Sequence, residues 1–209
     1  MIFKICGLKK IKTIKCCINN KVNFYGLVFH KSSPRNINIE DAVKLTKFSE
    51  NKNINPVGVF VNEEIKDISS IIKRLKLKYL QLHGNENDEY ISNIKKNFNV
   101  KIIKSISISS DKDLEKVNLY KKADFFLLDY KPKNHELAGG NAKKFDWSIL
   151  KNFKIEKTWF ISGGINHLNI RKIKEYSNPD GIDLSSGVEE SPGIKNNKLI
   201  NSLFKTYYG

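Results

Sequence analysis

The sequence predicts an α/β protein that folds as a single (β/α)8 TIM barrel. Short apolar runs alternate with longer Lys-rich amphipathic stretches, which is typical of a parallel sheet covered by helices. Eight such runs can be placed at a spacing of about 25 residues, and no linker or low-complexity tract interrupts them. Residues 1–209 are therefore expected to form one domain, near the lower length limit of such barrels. An open doubly wound sheet would give a similar local pattern, and periodicity alone does not choose between the two.

The predicted strands are short apolar runs bounded by polar or turn-forming residues. In chain order they are Ile2–Cys6, Tyr25–Phe29, Val57–Val61, Tyr79–Leu82, Lys101–Ser105, Phe125–Leu128, Trp159–Ile161 and Gly181–Leu184.

Helices are predicted in four of the stretches that connect these strands. In the second of them the isoleucines and a leucine recur at helical spacing. Ser110 is a plausible N-cap for the third, and the fourth follows Pro192-Gly193. The four predicted helices are Glu40–Glu50, Glu64–Leu75, Asp111–Lys122 and Ile194–Tyr207.

The formal net charge of +15 fits either a nucleic-acid partner or a small anionic ligand. The cations are nearly all lysines scattered through the chain, and the only arginines are Arg35, Arg74 and Arg171. Arginine clusters are the stronger signal for nucleic acid. We therefore expect a solvated basic surface and no nucleic-acid partner.

The apolar stretches, the first residues and the cysteines predict the compartment of the protein and whether it contains disulfides or zinc. No stretch approaches the roughly 18 apolar residues of a membrane span, and the first residues lack the pattern of a signal peptide. The three cysteines, Cys6, Cys16 and Cys17, are an odd number with an adjacent pair, which argues against disulfides and structural zinc. We expect a cytoplasmic protein without membrane association, disulfides or structural zinc; the sequence does not indicate its oligomeric state.

Residues that are unusual for structure follow six of the predicted strands, and in a parallel barrel these positions meet at one mouth. They are Cys6-Gly7, Ser33-Pro34-Arg35, His83-Gly84, Asp129, Gly163-Gly164 and Ser185-Ser186-Gly187. From the residues alone, Cys6 could equally be a small buried hydrophobe, Asp129 a turn or cap residue and Arg35 a surface cation.

The last two of these loops predict a phosphate site. Glycines and small hydroxyl residues leave backbone N–H groups exposed, and helix starts add the positive end of a dipole. Gly163 and Gly164 after the seventh strand, with Ser185, Ser186 and Gly187 after the eighth, occupy the usual phosphate-binding positions of such a barrel.

At the level of motifs the chain resembles the phosphoribosylanthranilate isomerase family. The matching segments occur in the family's order and span the chain: Lys4-Ile5-Cys6-Gly7, Ser33-Pro34-Arg35, Val57-Gly58-Val59-Phe60-Val61-Asn62, Leu80-Gln81-Leu82-His83-Gly84, Leu127-Leu128-Asp129, Phe145-Asp146-Trp147, Ser162-Gly163-Gly164-Ile165, and Gly181 to Glu189. Each segment alone is weak, whereas the ordered set is strong.

The resemblance implies an Amadori rearrangement of N-(5-phosphoribosyl)anthranilate in tryptophan biosynthesis, without cofactor or metal. It places the catalytic base on Cys6, the general acid on Asp129 and the ligand of the substrate's carboxylate on Arg35. Such chemistry requires the pKa of Asp129 to be raised by burial and that of Cys6 to be lowered by nearby positive charge. His83 is expected to support the mouth, and Asp183 to pair within the barrel.

The chain departs from the family pattern in the loop after strand six. Tyr130 stands where a small residue is usual, and Asn141 and Ala142 stand where Thr or Ser and then Gly are usual. These departures put the shape of this loop in doubt rather than the fold.

Two other classes of phosphosugar barrel enzyme are alternatives. An indoleglycerol-phosphate synthase should present further catalytic Lys and Glu residues in its strands, and a pentose-phosphate epimerase an acid pair with metal-binding histidines. Neither constellation is visible around His30, His83, His135 or His167. A non-enzymatic nucleic-acid binder rests only on the net charge.

Overall fold

Eight parallel strands close into a barrel in the computed structural model, which describes residues 1–130, 146–151 and 154–209. The strands are β1 (Ile2–Cys6), β2 (Phe24–Val28), β3 (Asn55–Phe60), β4 (Tyr79–Leu82), β5 (Lys101–Ile108), β6 (Phe125–Tyr130), β7 (Trp159–Ile161) and β8 (Gly181–Leu184). Each strand pairs with the next, and β1 pairs with β8 with Lys4 opposite Asp183. Closure confirms the predicted barrel and rules out the open sheet.

Strands β1, β4, β7 and β8 have the predicted bounds, whereas β5 and β6 extend further. Asp129, expected just after the sixth strand, lies within it and pairs with Ser107 of β5. The ladder needs only backbone groups, so it continues past the point where the apolar run stops. This register directs Asp129 into the barrel.

Helices cover the barrel from outside. They are α1 (Ile11–Asn19), α2 (Ile39–Ser49), α3 (Ile65–Leu75), α4 (Asp88–Asn97), α5 (Ile173–Tyr176) and α6 (Asn197–Tyr208). The asparagines Asn38, Asn87 and Asn196 accept hydrogen bonds at the N-termini of α2, α4 and α6. No helix in the described ranges is long and apolar enough to cross a membrane.

The predicted helix Asp111–Lys122 is instead a 3-10 helix over Asp111–Leu119. Leu114 is its one fully buried apolar side chain, with Val117 partly buried beside the core, and the buried carboxylate of Asp113 accepts backbone hydrogen bonds from Ser109 and Ser110. A narrow apolar side and a strong local cap favour this tighter turn over a full α-helix.

The predicted helix Ile194–Tyr207 begins too early. Ile194–Lys195 forms a short strand, β10, antiparallel to β9 (Glu189–Ser191). Pro192 and Gly193 form the turn of this hairpin. Gly193 has φ +84°, which favours glycine, and it lies against the carbonyl of Pro34. The hairpin brings Lys195 back beside Glu189.

The barrel interior changes from apolar to polar along its axis. Its lower part is filled by four buried side chains that pack together, Val57, Ile103, Leu127 and Phe160. Above them lies the buried ion pair of Lys4 and Asp183, with Nζ and Oδ1 3.0 Å apart. Polar chemistry is thus confined to the upper end, where the strands terminate.

Candidate active site

A cavity opens at the C-terminal ends of the strands and brings most of the predicted residues together. Cys6, Arg35, His83, Asp129 and Ser185 all line it. The remaining lining residues are Val28, His30, Ser33, Val59, Val61, Gln81, Ser162 and Asp183. The barrel mouth therefore carries the sequence-predicted acid, base and arginine in one enclosure.

Cys6 is the last residue of β1, and its side chain is buried in the barrel mouth. Gly26 in the neighbouring strand leaves room for it, because a Cβ there would lie 2.7 Å from Sγ. Burial raises the pKa of the Cys6 thiol, and the positive charges of Lys4, Lys195 and Arg35 oppose this rise without overcoming it. The expectation of a lowered pKa is therefore wrong, because desolvation outweighs the three cations.

Asp129 lies at the end of β6 and is 5% exposed. Burial raises its pKa to about 6, as expected, although hydrogen bonds from the Tyr130 N–H and the Ser162 hydroxyl act in the opposite direction. The N–H of Tyr130 lies 2.8 Å from Oδ1. Since this bond uses the backbone, it does not depend on which side chain occupies position 130.

His83 links Asp129 to the floor of the cavity. Its Nε2 lies 3.5 Å from Oδ2 of Asp129, and its Nδ1 lies 2.8 Å from Nε2 of Gln81. Burial, helped by the charge of Lys4, lowers the pKa of His83 to about 4. The imidazole is therefore neutral near pH 7. Sequence reasoning placed His83 here but gave no role to Gln81.

Arg35 already contacts a carboxylate inside the protein. Its Nε and one terminal nitrogen donate to the two oxygens of Glu189, at 2.9 Å and 2.6 Å. Lys195 pairs with the same carboxylate at 2.5 Å and donates to the carbonyl of Ser185 at 3.2 Å. The sequence gave no role to Glu189 and missed Lys195; the Pro-Gly turn between them was the available signal.

Lys4 is the second residue that sequence reasoning missed. Its side chain is fully buried and paired with Asp183, which bears out the expectation that this aspartate pairs within the barrel. A lysine within the apolar run Ile2 to Ile5 was the signal. Directly above it on the same face of β1 lies Cys6, because side chains alternate along a strand.

The strand lysine Lys104 has a structural partner rather than a place in the cavity lining. Its Nζ donates to the carbonyl of Gly84 at 2.6 Å and pairs with Glu86 at 2.8 Å. Glu86 in turn accepts from the N–H groups of Asn62 and Gly84. This buried network fixes the loop that carries His83.

The two predicted phosphate loops contact each other. Gly163 and Gly164 have φ values of +91° and +64°, which favour glycine, and a Cβ on Gly187 would lie 1.9 Å from the carbonyl oxygen of Ile165. In the part of the chain that the structure describes, the N–H groups of both loop glycines and of Gly187 meet no acceptor. The helical turns Ile170–Lys172 and Ser186–Val188 are only three residues long, so these N–H groups, not a long helix dipole, are what the loops offer an anion.

Several predicted positions lie elsewhere. His135, Gly139 to Ala142 and Phe145 are outside the described residues. Within the described ranges, no group of three His, Cys, Asp or Glu side chains converges as a metal site. A larger cavity of about 370 Å³ at the opposite end of the barrel is bordered by α2, α3 and several lysines, and it carries none of the predicted site residues.

Sequence comparisons connect this architecture to one family. The family model described as N-(5'phosphoribosyl)anthranilate (PRA) isomerase matches residues 3–206. A curated N-(5'-phosphoribosyl)anthranilate isomerase of Paramagnetospirillum magneticum is 35% identical over 208 residues, covering 99% of this chain and 96% of the relative. The Rhizobium rhizogenes protein of that name is 37% identical over 203 residues, covering 96% of this chain and 91% of the relative.

Solved structures agree with the sequence comparisons. Phosphoribosyl anthranilate isomerase from Thermotoga maritima matches with a TM-score of 0.86 and 31% identity, covering 99% of this chain and 98% of that one. A phosphoribosyl anthranilate isomerase in complex with reduced 1-(o-carboxyphenylamino)-1-deoxyribulose 5-phosphate matches with a TM-score of 0.82 and 30% identity, at the same coverage. The closed barrel, the ordered motifs and these matches together show that the chain belongs to the N-(5'-phosphoribosyl)anthranilate isomerase family.

Proposed function

We propose that this chain converts N-(5'-phosphoribosyl)anthranilate to 1-(2-carboxyphenylamino)-1-deoxyribulose 5-phosphate in tryptophan biosynthesis, with Asp129 as general acid and Cys6 as base. The observation that carries the assignment of roles is the convergence of both residues in one cavity beside Arg35. A relative that binds the reduced product supports the same substrate class. Residues 1–209 act as one isomerase domain in this proposal.

Ring opening is the task of Asp129. Its protonated carboxyl donates to the ribose ring oxygen, the C1'–O bond breaks, and a Schiff base forms between C1' and the anthranilate nitrogen. With a pKa of about 6, Asp129 is protonated in about a tenth of molecules at pH 7, against about a thousandth for an ordinary aspartate.

Proton abstraction is the task of Cys6. Its thiolate accepts the proton from C2', the C–H electron pair forms the C1'=C2' double bond, and the imine electrons return to nitrogen. The resulting enolamine tautomerises to the ketose. The positive charges of Lys4, Lys195 and Arg35 favour the thiolate against the desolvation that opposes it.

Each of the two charged groups of the substrate matches a feature of the mouth. Its phosphate lies against the loops of Gly163-Gly164 and Ser185-Ser186-Gly187, where the N–H groups of the three glycines meet no acceptor within the described residues. Its anthranilate carboxylate binds Arg35, where it shares or exchanges the guanidinium with Glu189. Lys195 keeps the charge of Glu189 balanced during that exchange.

Arg35→Lys should weaken substrate use by about 2 kcal/mol, or about 30-fold in kcat/KM, because an ammonium cannot reproduce the planar two-point contact. Kinetics and calorimetry with the reduced product check this. Arg74→Lys is the matched control, since Arg74 lies on the outer surface and pairs with Glu40. An unchanged kcat/KM in Arg35→Lys would argue against the carboxylate assignment.

Gly187→Ala should raise the inhibition constant of inorganic phosphate by about 10-fold or more, because the new Cβ meets the Ile165 carbonyl and pushes the two loops apart. Competitive inhibition of the isomerase by phosphate measures this. Gly58→Ala is the matched control, since its Cβ would lie 2.7 Å from Leu77 and Gly58 does not line the cavity. Equal phosphate affinity in both variants and the wild type would contradict the assignment.

The function itself is tested by supplying N-(5'-phosphoribosyl)anthranilate generated in place and following its fluorescence. We expect consumption that depends on the protein, with the 2-ketose identified by NMR. Consumption at the rate of the protein-free sample would overturn the proposal.

A cytoplasmic location fits the same proposal. The three cysteines are free and buried, as expected for a protein of a reducing compartment. Its partner is a small phosphorylated molecule, and we expect no nucleic-acid partner despite the basic surface.

A further inference from the structure

Gln81 is the only glutamine of the chain and lies in β4, two residues before His83. Residues two apart in a strand face the same side, so both side chains point into the barrel. Gln81 is 1% exposed and lines the cavity with His83 and Asp129. The amide of Gln81 therefore lies in the same cavity as the proposed acid, Asp129.

The contact between Gln81 and His83 determines which ring nitrogen carries the hydrogen. The amide Nε2 of Gln81 lies 2.8 Å from Nδ1 of His83, and an amide nitrogen can only donate. Nδ1 must therefore accept, and a neutral imidazole then carries its hydrogen on Nε2. That nitrogen lies 3.5 Å from Oδ2 of Asp129.

Burial keeps the imidazole of His83 neutral, among charged groups of both signs. The groups that face His83 and Asp129 come from several elements of the barrel, and burial lowers the pKa of His83 to about 4. They are Lys4 on β1, Arg35 after β2, Glu86 after β4, Lys104 on β5 and Asp183 on β8. A neutral imidazole has one donor and one acceptor nitrogen, so its tautomer determines whether an N–H or a lone pair faces Asp129.

The amide of Gln81 lowers the stability of the folded protein, which an apolar side chain of the same size would not do. In the described part of the chain, Oε1 of Gln81 is buried without a hydrogen-bond partner. A buried unsatisfied acceptor is unfavourable by about 1–3 kcal/mol. Methionine would fill the same space without this penalty, so packing alone gives no reason for a glutamine here.

We propose that Gln81 is a positioning residue that fixes the tautomer of His83, so that an N–H and not a lone pair faces Asp129. The inference rests on the proposed role of Asp129 as the acid. When Asp129 gives up its proton, the carboxylate that forms is met by this donor. The opposite tautomer would present a lone pair and compete with the substrate for the proton of the acid.

The test is ¹⁵N NMR of protein labelled at histidine, with the His83 resonances assigned from a His83→Gln variant. In the wild type between pH 6 and 8 we expect Nδ1 to have the shift of an unprotonated nitrogen and Nε2 that of a protonated one. Gln81→Glu replaces the donor by an acceptor, so the neutral ring should carry its hydrogen on Nδ1 and leave Nε2 unprotonated towards Asp129. A wild-type ring protonated on Nδ1 would overturn the inference.

Kinetics supply the second readout. Gln81→Glu should lower kcat by about 10-fold with KM nearly unchanged, a smaller loss than that of the acid itself. Gln81→Met keeps the volume and should also lower kcat, because the donor is lost; wild-type kcat in both variants would overturn the inference. If the tautomer is as expected but Asp129→Asn turns over normally, the proposed function fails and the tautomer assignment stands.

Discussion

Asp129→Asn is expected to lower kcat by about 10²-fold or more, because the variant keeps the shape of the side chain but has no proton to give to the ring oxygen. Steady-state kinetics at pH 7 measure the loss. The reduced product should still bind, since the contacts to its phosphate and carboxylate remain. Turnover near the wild-type rate would remove Asp129 as the acid and direct attention to the loop that begins at Tyr130.

The pH dependence of the free energy of unfolding provides the control for Asp129→Asn. The pKa of Asp129 is raised to about 6 in the folded protein and is near 3.9 in an unfolded chain. Its contribution to stability is therefore fully present below about pH 4 and is lost as the pH rises through 6. The free energy of unfolding of the wild type, relative to that of Asp129→Asn, should fall between pH 4 and pH 7, and the variant should be folded at neutral pH.

Cys6→Ser is expected to lower kcat by a similar factor of about 10² or more. A serine hydroxyl fills nearly the same space but is a far weaker acid than a thiol, so the anion that accepts the C2' proton is lost. Cys16→Ser is the matched control, because Cys16 lies in α1 and donates to Asn201 far from the cavity. Normal turnover in Cys6→Ser would remove the base.

The losses in kcat caused by Asp129→Asn and Cys6→Ser are not expected to multiply in the double variant. Ring opening and proton abstraction are successive steps, so a variant that lacks one group is limited by one step. The rate of the double variant should be much higher than the product of the two single losses predicts. A full multiplicative loss would indicate that both groups act in the same transition state.

The fold could be predicted closely wherever strands are apolar and end at a polar turn. Strand β1 is such a case: its apolar run and its hydrogen-bonded span coincide at Ile2–Cys6. Prediction failed where local chemistry competes with periodicity. Asp129 ends an apolar run but continues a ladder, and Gly193 turns a hairpin where a helix start was expected.

The candidate site was predictable as a set of residues but not as a set of contacts. Cys6, Arg35, His83 and Asp129 follow strands in the sequence, and the barrel brings them together. The pairing of Lys4 with Asp183 joins residues at opposite ends of the chain, which no local pattern indicates.

The pKa shift of Cys6 was predicted in the wrong direction for a related reason. Positive charge lies close to the thiol, as expected, but the depth of burial decides the direction of the shift, and burial depends on the closed barrel. Gln81 belongs to one of the family motifs, but the motif does not indicate the contact between its amide and the imidazole of His83.

The most direct measurement compares the consumption of N-(5'-phosphoribosyl)anthranilate by the wild type and by the Cys6→Ser/Asp129→Asn double variant at equal concentrations of folded protein. The account predicts that both proteins bind the reduced product, that the wild type consumes the substrate, and that the double variant loses turnover by about 10²-fold or more. Equal rates for the two proteins, or no consumption by the wild type, would contradict it.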